Sequence, residues 1–384
     1  MGEENKKTKF IYVSQPWIAG REKEYVLDAV SNGWISSEGK YVKEFEEKFA
    51  SFVGRKYGIS VNNGTNALIL AVRALDLPEG SEVIIPSFMI ISCALAVIYN
   101  NLVPVFVDSS LETWNMKPDE IERKITEKTK AIIMVHTYGY PCEVDEILKI
   151  AQKYNLFVIE DFAEAIGSEY KGRKCGSFGN ISCTSFYSNK LITTGEGGMC
   201  LTDDPELAQK MKNLRNLSFI PEKRFLHYEL GFNFRLSNLL SAVGLAQLEL
   251  IEQRISRKLK MAQIYYDTLG ELEEKKIIKL PPRSNRDHKN TFWMYGIVMA
   301  IKIPAKYIMD KLKEFGIETR PFFFPLHLQP AFRKFSWFRE QKLPNAEYLG
   351  EYGFYIPSGL DLEENDIIHV AKTVKNLILE HANI

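Results

Sequence analysis

The sequence predicts an α/β protein with a larger domain on a mostly parallel sheet and a smaller C-terminal α+β domain. Short apolar runs alternate with amphipathic segments from about Glu82 to Asp161, which is the pattern of strand–helix–strand units. The runs are β-branched and apolar on both faces, as expected for strands that helices cover on both sides. The length of 384 residues is enough for two domains.

The alternating region supplies the strands and helices of the larger domain. The predicted strands are Glu82–Pro86, Val103–Asp108, Ala131–His136, Phe157–Asp161 and, further along, Ile181–Thr184. The predicted helices are Leu68–Leu75, Ile91–Tyr99, Pro118–Thr126 and Val144–Tyr154.

A long helix is predicted over Ser237–Leu269, because apolar residues recur there at helical spacing. We expect it to connect the two domains, with the boundary near Arg254, so that the domains comprise residues 1–253 and 254–384. The elements predicted for the smaller domain are a strand over Phe292–Ile301 and helices over Pro304–Phe315 and Glu363–Glu380.

Composition narrows the classes of function. The formal net charge is +0, so no overall field would attract nucleic acid or an acidic membrane. The five cysteines include no CxxC pair and the six histidines no HExxH spacing, so neither a disulfide framework nor a metal site is expected. The polar segment Met1–Lys9 does not resemble a signal peptide, and no membrane-spanning run exists. These features predict a cytoplasmic protein.

The segment Ser185–Met199 (SFYSNKLITTGEGGM) is the most informative in the chain. Lys190 is followed by small hydroxyl residues and glycines, which allow tight turns and close backbone approach. A lysine in a crowded, partly buried turn can have a lowered amine pKa and form a Schiff base with an aldehyde cofactor. The alternative for Lys190 alone is an ordinary solvated loop lysine.

Two acidic residues mark the end of a predicted buried strand. Asp161 ends the strand, at the edge where open α/β sheets bind ligands. A carboxylate there can pair with a protonated pyridine nitrogen and keep the ring positive, so that the ring accepts electrons. Glu164 lies one helical turn further and could reach the ring hydroxyl. The alternative for Asp161 is that it caps the next helix.

A phosphate site is predicted at Asn62–Ala67 (NNGTNA). Gly64 and Thr65 would open the helix Leu68–Leu75, and the first amides of a helix bind anions readily. Ser185 could add a second hydroxyl, while simple helix capping is the alternative. A phosphate cup, then an acid at a strand end, then a lysine are the parts that a pyridoxal-phosphate (PLP) site requires.

At these residues the sequence resembles the sugar-nucleotide aminotransferase family of fold-type I PLP enzymes, from about Tyr12 to Leu377. The family resemblance is specific and extends to several further segments. These are Trp34–Ser37, Asn189–Met199, Gly231–Arg235, Phe292–Tyr295, Gly316–Pro321 and Pro325–His327.

The resemblance implies a role for each cofactor residue. Lys190 would bind PLP covalently and move protons, Asp161 would pair with the pyridinium nitrogen, and Glu164, where many relatives carry Gln, would lie near the ring hydroxyl. Gly64, Thr65 and Ser185 would hold the phosphate, and Asn233 resembles the residue that reaches the phosphate of a neighbouring subunit. The resemblance therefore implies a homodimer with shared active sites.

The resemblance also suggests residues for the ring face and the substrate. Phe88 or Ile90 would cover the ring face, with plain core packing as the alternative. Arg320 and His327 lie in a motif that resembles the substrate-facing edge of the smaller domain, although His327 could equally be structural. Trp34 would border the sugar pocket, or else anchor the N-terminal arm.

The implied reaction transfers an amino group from L-glutamate, through pyridoxamine phosphate, to C4 of a 4-keto-6-deoxy sugar nucleotide. GDP-4-keto-6-deoxy-D-mannose is the favoured acceptor and GDP-perosamine the product. Family members with His in place of the lysine are dehydratases, so Lys190 favours transamination. The alternatives are a UDP- or dTDP-linked acceptor and a catalytically silent PLP-binding regulator; a nucleic-acid-binding module is disfavoured by the neutral charge.

Overall fold

The computed structural model describes residues 9–220 and 223–382. Its strands are β1 (Tyr57–Val61), β2 (Glu82–Pro86), β3 (Val103–Val107), β4 (Thr129–Val135), β5 (Phe157–Asp161), β6 (Glu169–Tyr170), β7 (Arg173–Lys174), β8 (Ile181–Ser185), β9 (Gly198–Thr202), β10 (Ile278–Lys279), β11 (His288–Lys289), β12 (Tyr295–Met299), β13 (Arg320–Pro321) and β14 (Gly353–Ile356). Its helices are α1 (Glu22–Ser31), α2 (Lys40–Val53), α3 (Gly64–Ala74), α4 (Ser92–Ile98), α5 (Pro118–Lys124), α6 (Val144–Tyr154), α7 (Pro205–Arg215), α8 (Asn238–Glu249), α9 (Ile251–Glu274), α10 (Ala305–Glu314), α11 (Pro344–Tyr352) and α12 (Glu364–His381).

The large sheet has seven strands in the order β1-β9-β8-β5-β4-β2-β3. Strands β8, β5, β4, β2 and β3 pair in parallel, while β9 is antiparallel to both β8 and β1. Buried apolar side chains pack on both faces of the sheet, as parallel strands covered by helices require. The predicted α/β class with a mostly parallel sheet is therefore confirmed.

The connection after the large sheet differs from the prediction, because the expected single helix Ser237–Leu269 is two helices. At Leu250, between α8 and α9, the backbone leaves the helical region (φ −104°, ψ 16°). The carbonyl of Gln247 accepts from the Leu250 amide (3.3 Å) and from Nε of Arg254 (3.2 Å). Arg254 also donates to the carbonyl of Trp17 (3.0 Å), so a contact distant in sequence stabilises the break.

The C-terminal part has its own sheet of four strands, in the order β10-β12-β14-β13, packed against α9, α10 and α12. The predicted strand Phe292–Ile301 is shorter, since only Tyr295–Met299 pairs. Trp293 and Phe322 from this part join the core of the large sheet, so the two parts share a packed interface. The boundary near Arg254 stays a prediction. Within residues 9–220 and 223–382, no helix has the length and apolar character that crossing a membrane requires.

Candidate active site

The predicted cofactor residues meet at the carboxyl edge of the large sheet. Strands β5 and β8 run in parallel, with Asp161 paired opposite Cys183, so both strands end at the same edge. Ser185 is the last residue of β8, and the loop from β8 to β9 carries Lys190. This is the edge at which open α/β sheets bind ligands.

Lys190 is half-buried, and its amine faces an aromatic ring. Its Nζ lies 3.6 Å from the centroid of the Trp293 ring system, and the Trp293 indole N–H donates to the Asn189 carbonyl (2.9 Å). Burial lowers the pKa of the Lys190 amine, while the nearby carboxylates of Glu164 and Asp161 oppose that shift. A lowered amine pKa makes the nucleophilic neutral form more accessible.

Asp161 is buried at the end of β5, where few groups neutralise its charge. One oxygen accepts from the Ala163 amide (3.0 Å), and the other faces the Cys93 thiol (3.5 Å). Burial raises the pKa of Asp161, and the Ala163 amide and the Lys190 ammonium counteract part of that rise. A cationic ring nitrogen placed beside it would stabilise its ionised form.

Glu164 is also buried beside Lys190. Burial raises its pKa to about 7, although the Lys190 charge and the Tyr138 amide pull in the opposite direction. The Tyr138 amide donates to Oε2 of Glu164 (2.8 Å) from a residue in the left-handed region (φ 51°). Glu164 can thus hold or release a proton near neutral pH.

The predicted phosphate cup lies at the N-terminus of α3. Asn63 caps the helix, and its side chain accepts from the Asn66 amide (2.8 Å). Within the described residues, this leaves the amides of Gly64 and Thr65 without a partner in the helix. A Cβ at Gly64 would lie 2.6 Å from Cβ of Ser185, so only glycine lets the Ser185 hydroxyl come this close to the first turn.

The two other predicted cofactor residues are Asn233 and Phe88. Asn233 is exposed, pairs with Asn216 in an isolated bridge, and is accessible to another molecule. Phe88 is fully buried and packs on Tyr138, Phe322 and Phe323, with ring centroids 5.6–6.2 Å apart. Its packing matches the alternative that the sequence left open, while Ile90 is 47% exposed.

The predicted substrate residues are dispersed. Trp34 is 57% exposed and lines a cavity of about 1150 Å³; within the described residues, none of the other predicted site residues lines it. Arg320 is exposed and pairs with Glu318. His327 is buried, with ring nitrogens 2.7 Å from Ser87 Oγ and 3.1 Å from Glu347 Oε1.

Sequence reasoning assigned no role to three residues that contact the predicted site: Trp293, Tyr138 and Cys93. Trp293 lies in the FWMY segment that carries part of the family resemblance, so that motif was an available signal. Tyr138 follows β4 and Cys93 lies in α4, and neither is marked by spacing or composition.

The donor set suits PLP. A half-buried amine near two buried carboxylates suits an aldehyde and a pyridine nitrogen, and the glycine-opened helix N-terminus at the same edge suits a phosphate. The fold and the site together define a PLP-dependent aminotransferase.

Comparison with known proteins identifies the family. A sequence profile of the DegT/DnrJ/EryC1/StrS aminotransferase family matches residues 16–375. The chain belongs to this family, which confirms the predicted resemblance, the aminotransferase class and the PLP cofactor.

Two similar relatives are both named GDP-perosamine synthase. The one from Escherichia coli O157:H7 is 41% identical over 95% of this chain and 98% of its own length. The one from Caulobacter vibrioides is 38% identical over 96% of this chain and 98% of its own length. Among solved structures, an aminotransferase from Psychrobacter cryohalolentis superposes with a TM-score of 0.89 at 30% identity, covering 98% of this chain and 100% of its own.

Proposed function

We propose that the protein transfers the amino group of L-glutamate to C4 of GDP-4-keto-6-deoxy-D-mannose and produces GDP-perosamine. The observation that carries the proposal is the half-buried Lys190, whose amine faces the Trp293 ring and lies within the electrostatic influence of the buried carboxylates of Glu164 and Asp161. The acceptor is supported by the relatives named GDP-perosamine synthase, which cover nearly the whole chain.

The chain's own residues bind, orient and move protons. PLP, when bound, supplies the carbonyl that captures the amino group and a ring that accepts electrons. Asp161 would keep the ring nitrogen protonated, and Glu164 would lie at the ring hydroxyl. The Lys190 Nζ would take the proton from the α-carbon of glutamate and later deliver one to C4 of the sugar.

The phosphate and the sugar nucleotide would be held by separate groups. The amides of Gly64 and Thr65, with the Ser185 hydroxyl, would bind the phosphate as a helix N-terminus binds anions. Arg320, His327 and Trp34 would contact the substrate, and Phe88 would cover the ring face.

A homodimer with shared sites is part of the proposal. Three apolar side chains near Asn233 are strongly exposed: Phe225 (83%), Tyr228 (81%) and Leu230 (83%). Apolar patches of this kind are typical of interfaces, and Asn233 would reach the cofactor phosphate of the partner. The reaction is proposed to take place in the cytoplasm, where the five buried free cysteines would remain reduced.

The central experiment is Lys190→Ala, measured with the purified protein, PLP, glutamate and GDP-, UDP- and dTDP-linked 4-keto sugars. We expect turnover to fall by at least about 100- to 10,000-fold and borohydride to stop fixing the cofactor to the chain. Lys306→Ala, at an exposed lysine paired with Asp310, is the control and should retain both. Turnover of Lys190→Ala at the wild-type rate would contradict the mechanism.

The same assay separates the alternatives. Preference for a UDP- or dTDP-linked sugar would replace the proposed acceptor while leaving the reaction class intact. If glutamate fails to convert bound PLP to its amine form, the protein is a silent PLP-binding regulator.

A further inference from the structure

Trp293 is buried at the junction between the large sheet and the C-terminal part, and it touches the Lys190 loop in two ways. Its ring system faces the Lys190 amine at 3.6 Å from the centroid. Its indole N–H donates to the carbonyl of Asn189 (2.9 Å), the residue that precedes the lysine. One side chain therefore contacts both the amine and the backbone that carries it.

The ring contact favours one charge state of the amine. The negative face of an indole attracts an ammonium group but has little attraction for a neutral amine, and the attraction is largest where water is excluded. Trp293 is only 6% exposed. The ring thus opposes the effect of burial, which lowers the pKa of the Lys190 amine.

The backbone of Trp293 is itself held by a hydrogen bond from a buried lysine. The Nζ of Lys258, a lysine of α9 that is 3% exposed, donates to the Trp293 carbonyl (2.8 Å) and to the Ser358 carbonyl. The Trp293 ring also stacks on Tyr138, with centroids 5.8 Å apart and planes 13° apart. A buried polar group without its partner is costly, so Lys258 and Trp293 restrain each other.

We propose that Trp293 is a positioning residue for Lys190. Trp293 would hold the amine on the side of the loop where the cofactor would bind, and it would favour the ammonium form. The proposal rests on the role of Lys190 in the proposed function. The charged groups around the amine are Asp161 and Glu164 from the β5 end, and Arg254 and Lys258 of α9, which line a small cavity together with Lys190.

The ring effect is tested on the full-length, cofactor-free protein by competitive acetylation with acetic anhydride across a pH series. Mass spectrometry of each lysine peptide gives the pKa of Lys190. Trp293→Leu keeps the space apolar but removes the ring face, so we expect that pKa to fall by about 0.5–1 unit. Trp293→Phe should give a smaller fall, and Trp337→Leu, at a tryptophan packed on Phe335, should give none.

The positioning effect is tested by PLP binding. Trp293→Phe loses the hydrogen bond to Asn189, so we expect the PLP dissociation constant to rise by about 2- to 10-fold. An unchanged circular dichroism spectrum shows that each variant is folded, and unchanged labelling of the exposed Lys306 shows that the reagent acts equally on each variant.

Two results would overturn the proposal: an unchanged or raised Lys190 pKa in folded Trp293→Leu, or wild-type PLP affinity in folded Trp293→Phe. If Trp293→Leu does not fold, the two Trp293→Phe measurements decide. A wrong proposed function would give a different result. Borohydride would then fix no PLP on Lys190 of the wild type, independently of the pKa and PLP affinity measured for the Trp293 variants.

Discussion

Glu160 and Asp161 are neighbours on β5 that face opposite sides of the sheet, and they show two fates of a buried carboxylate. Both are at most 5% exposed. The pKa of Glu160 is lowered, whereas that of Asp161 is raised. Depth of burial therefore does not explain the difference.

The Glu160 carboxylate has a complete set of donors. It accepts from His136 Nε2 (2.9 Å), the Phe178 amide (2.8 Å), Ser182 Oγ (3.0 Å) and the Gly176 amide. Burial alone would raise its pKa, but the His136 and Gly176 hydrogen bonds and the Arg55 charge outweigh that effect.

His136, Glu160 and Cys175 lie close enough together to suggest a metal site. However, His136 Nδ1 accepts from the Cys142 amide (2.9 Å), which places the ring proton on Nε2, facing Glu160. The lone pairs that His136 and Glu160 would offer a metal already accept hydrogen bonds, so we interpret this cluster as structural.

Asp161, on the other face, and Glu164, in the turn after β5, have few donors among residues 9–220 and 223–382. Asp161 has one amide and a weak thiol donor, and Glu164 has one amide from Tyr138. The contrast teaches that a buried acid with all its partners supplied by the fold is structural, whereas one with missing partners is prepared for a ligand.

The largest expected effect is a loss of activity on changing Asp161, which distinguishes its face of the sheet from the face of Glu160. In Asp161→Asn the side chain can no longer be negative, so a ring nitrogen beside it would lose its proton. We expect turnover to fall by about 100- to 1000-fold, measured with glutamate and the GDP-linked acceptor, while the melting temperature does not fall. An unchanged turnover would remove Asp161 from the site.

For Glu160→Gln we expect the opposite result, a loss of stability with little loss of turnover. The amide has one acceptor oxygen in place of two and adds an NH₂ group that faces donors. Arg55 also loses the charge of Glu160, although it keeps its ion pair with Asp203 (2.9 Å). We expect the free energy of unfolding in urea to fall by about 3–5 kcal/mol, with turnover per folded molecule within about 10-fold of the wild type. A Glu160→Gln variant with an unchanged free energy of unfolding but lost turnover would contradict the structural role of Glu160.

Glu164→Gln tests the charge state of the candidate site. The folded-state pKa of about 7 lies above the ordinary 4.5, so the folded protein retains a proton that the unfolded chain releases. The stability that this proton contributes is complete below about pH 4.5 and is lost as pH rises through 7.

Relative to the wild type, the cofactor-free Gln variant should therefore gain about 3 kcal/mol of unfolding free energy between pH 4.5 and 8.5. Urea unfolding at both pH values measures this difference. The same pH dependence in the variant and the wild type would show that Glu164 does not titrate in this range.

Gly64→Ala tests the candidate phosphate site and has the smallest expected effect. The added Cβ would press on Ser185 at 2.6 Å, so we expect PLP binding to weaken by about 1–3 kcal/mol. Gly270→Ala is the control, because a Cβ there meets only an arginine nitrogen at 3.9 Å. Equal PLP affinity in both variants would show that the cup is elsewhere.

Much of the large sheet was predictable, because each strand of a βα unit carries its own apolar run. The bounds of β5 and α6 agree with those that the sequence predicts. The local candidates Lys190, Asp161 and Gly64 were also accessible, since strand ends and a helix start mark them in the sequence.

Contacts between distant segments were not predictable. The helix break at Leu250 depends on the Trp17 carbonyl, and the donors to Glu160 come from four separate positions. The placement of Trp293 over Lys190 requires the packing of the two parts of the chain. Neither periodicity nor composition encodes such pairings, which the three-dimensional fold alone reveals.

The position of Trp293 in the chain also sets the order in which the candidate site can be completed during synthesis. A ribosome makes the chain from its N-terminus, and N-terminal units generally fold first. The acid, the lysine and the glycine-opened helix emerge well before the tryptophan. A nascent chain that ends before Trp293 therefore carries Lys190 without the ring that faces its amine, and the candidate site is complete only after the chain extends past Trp293.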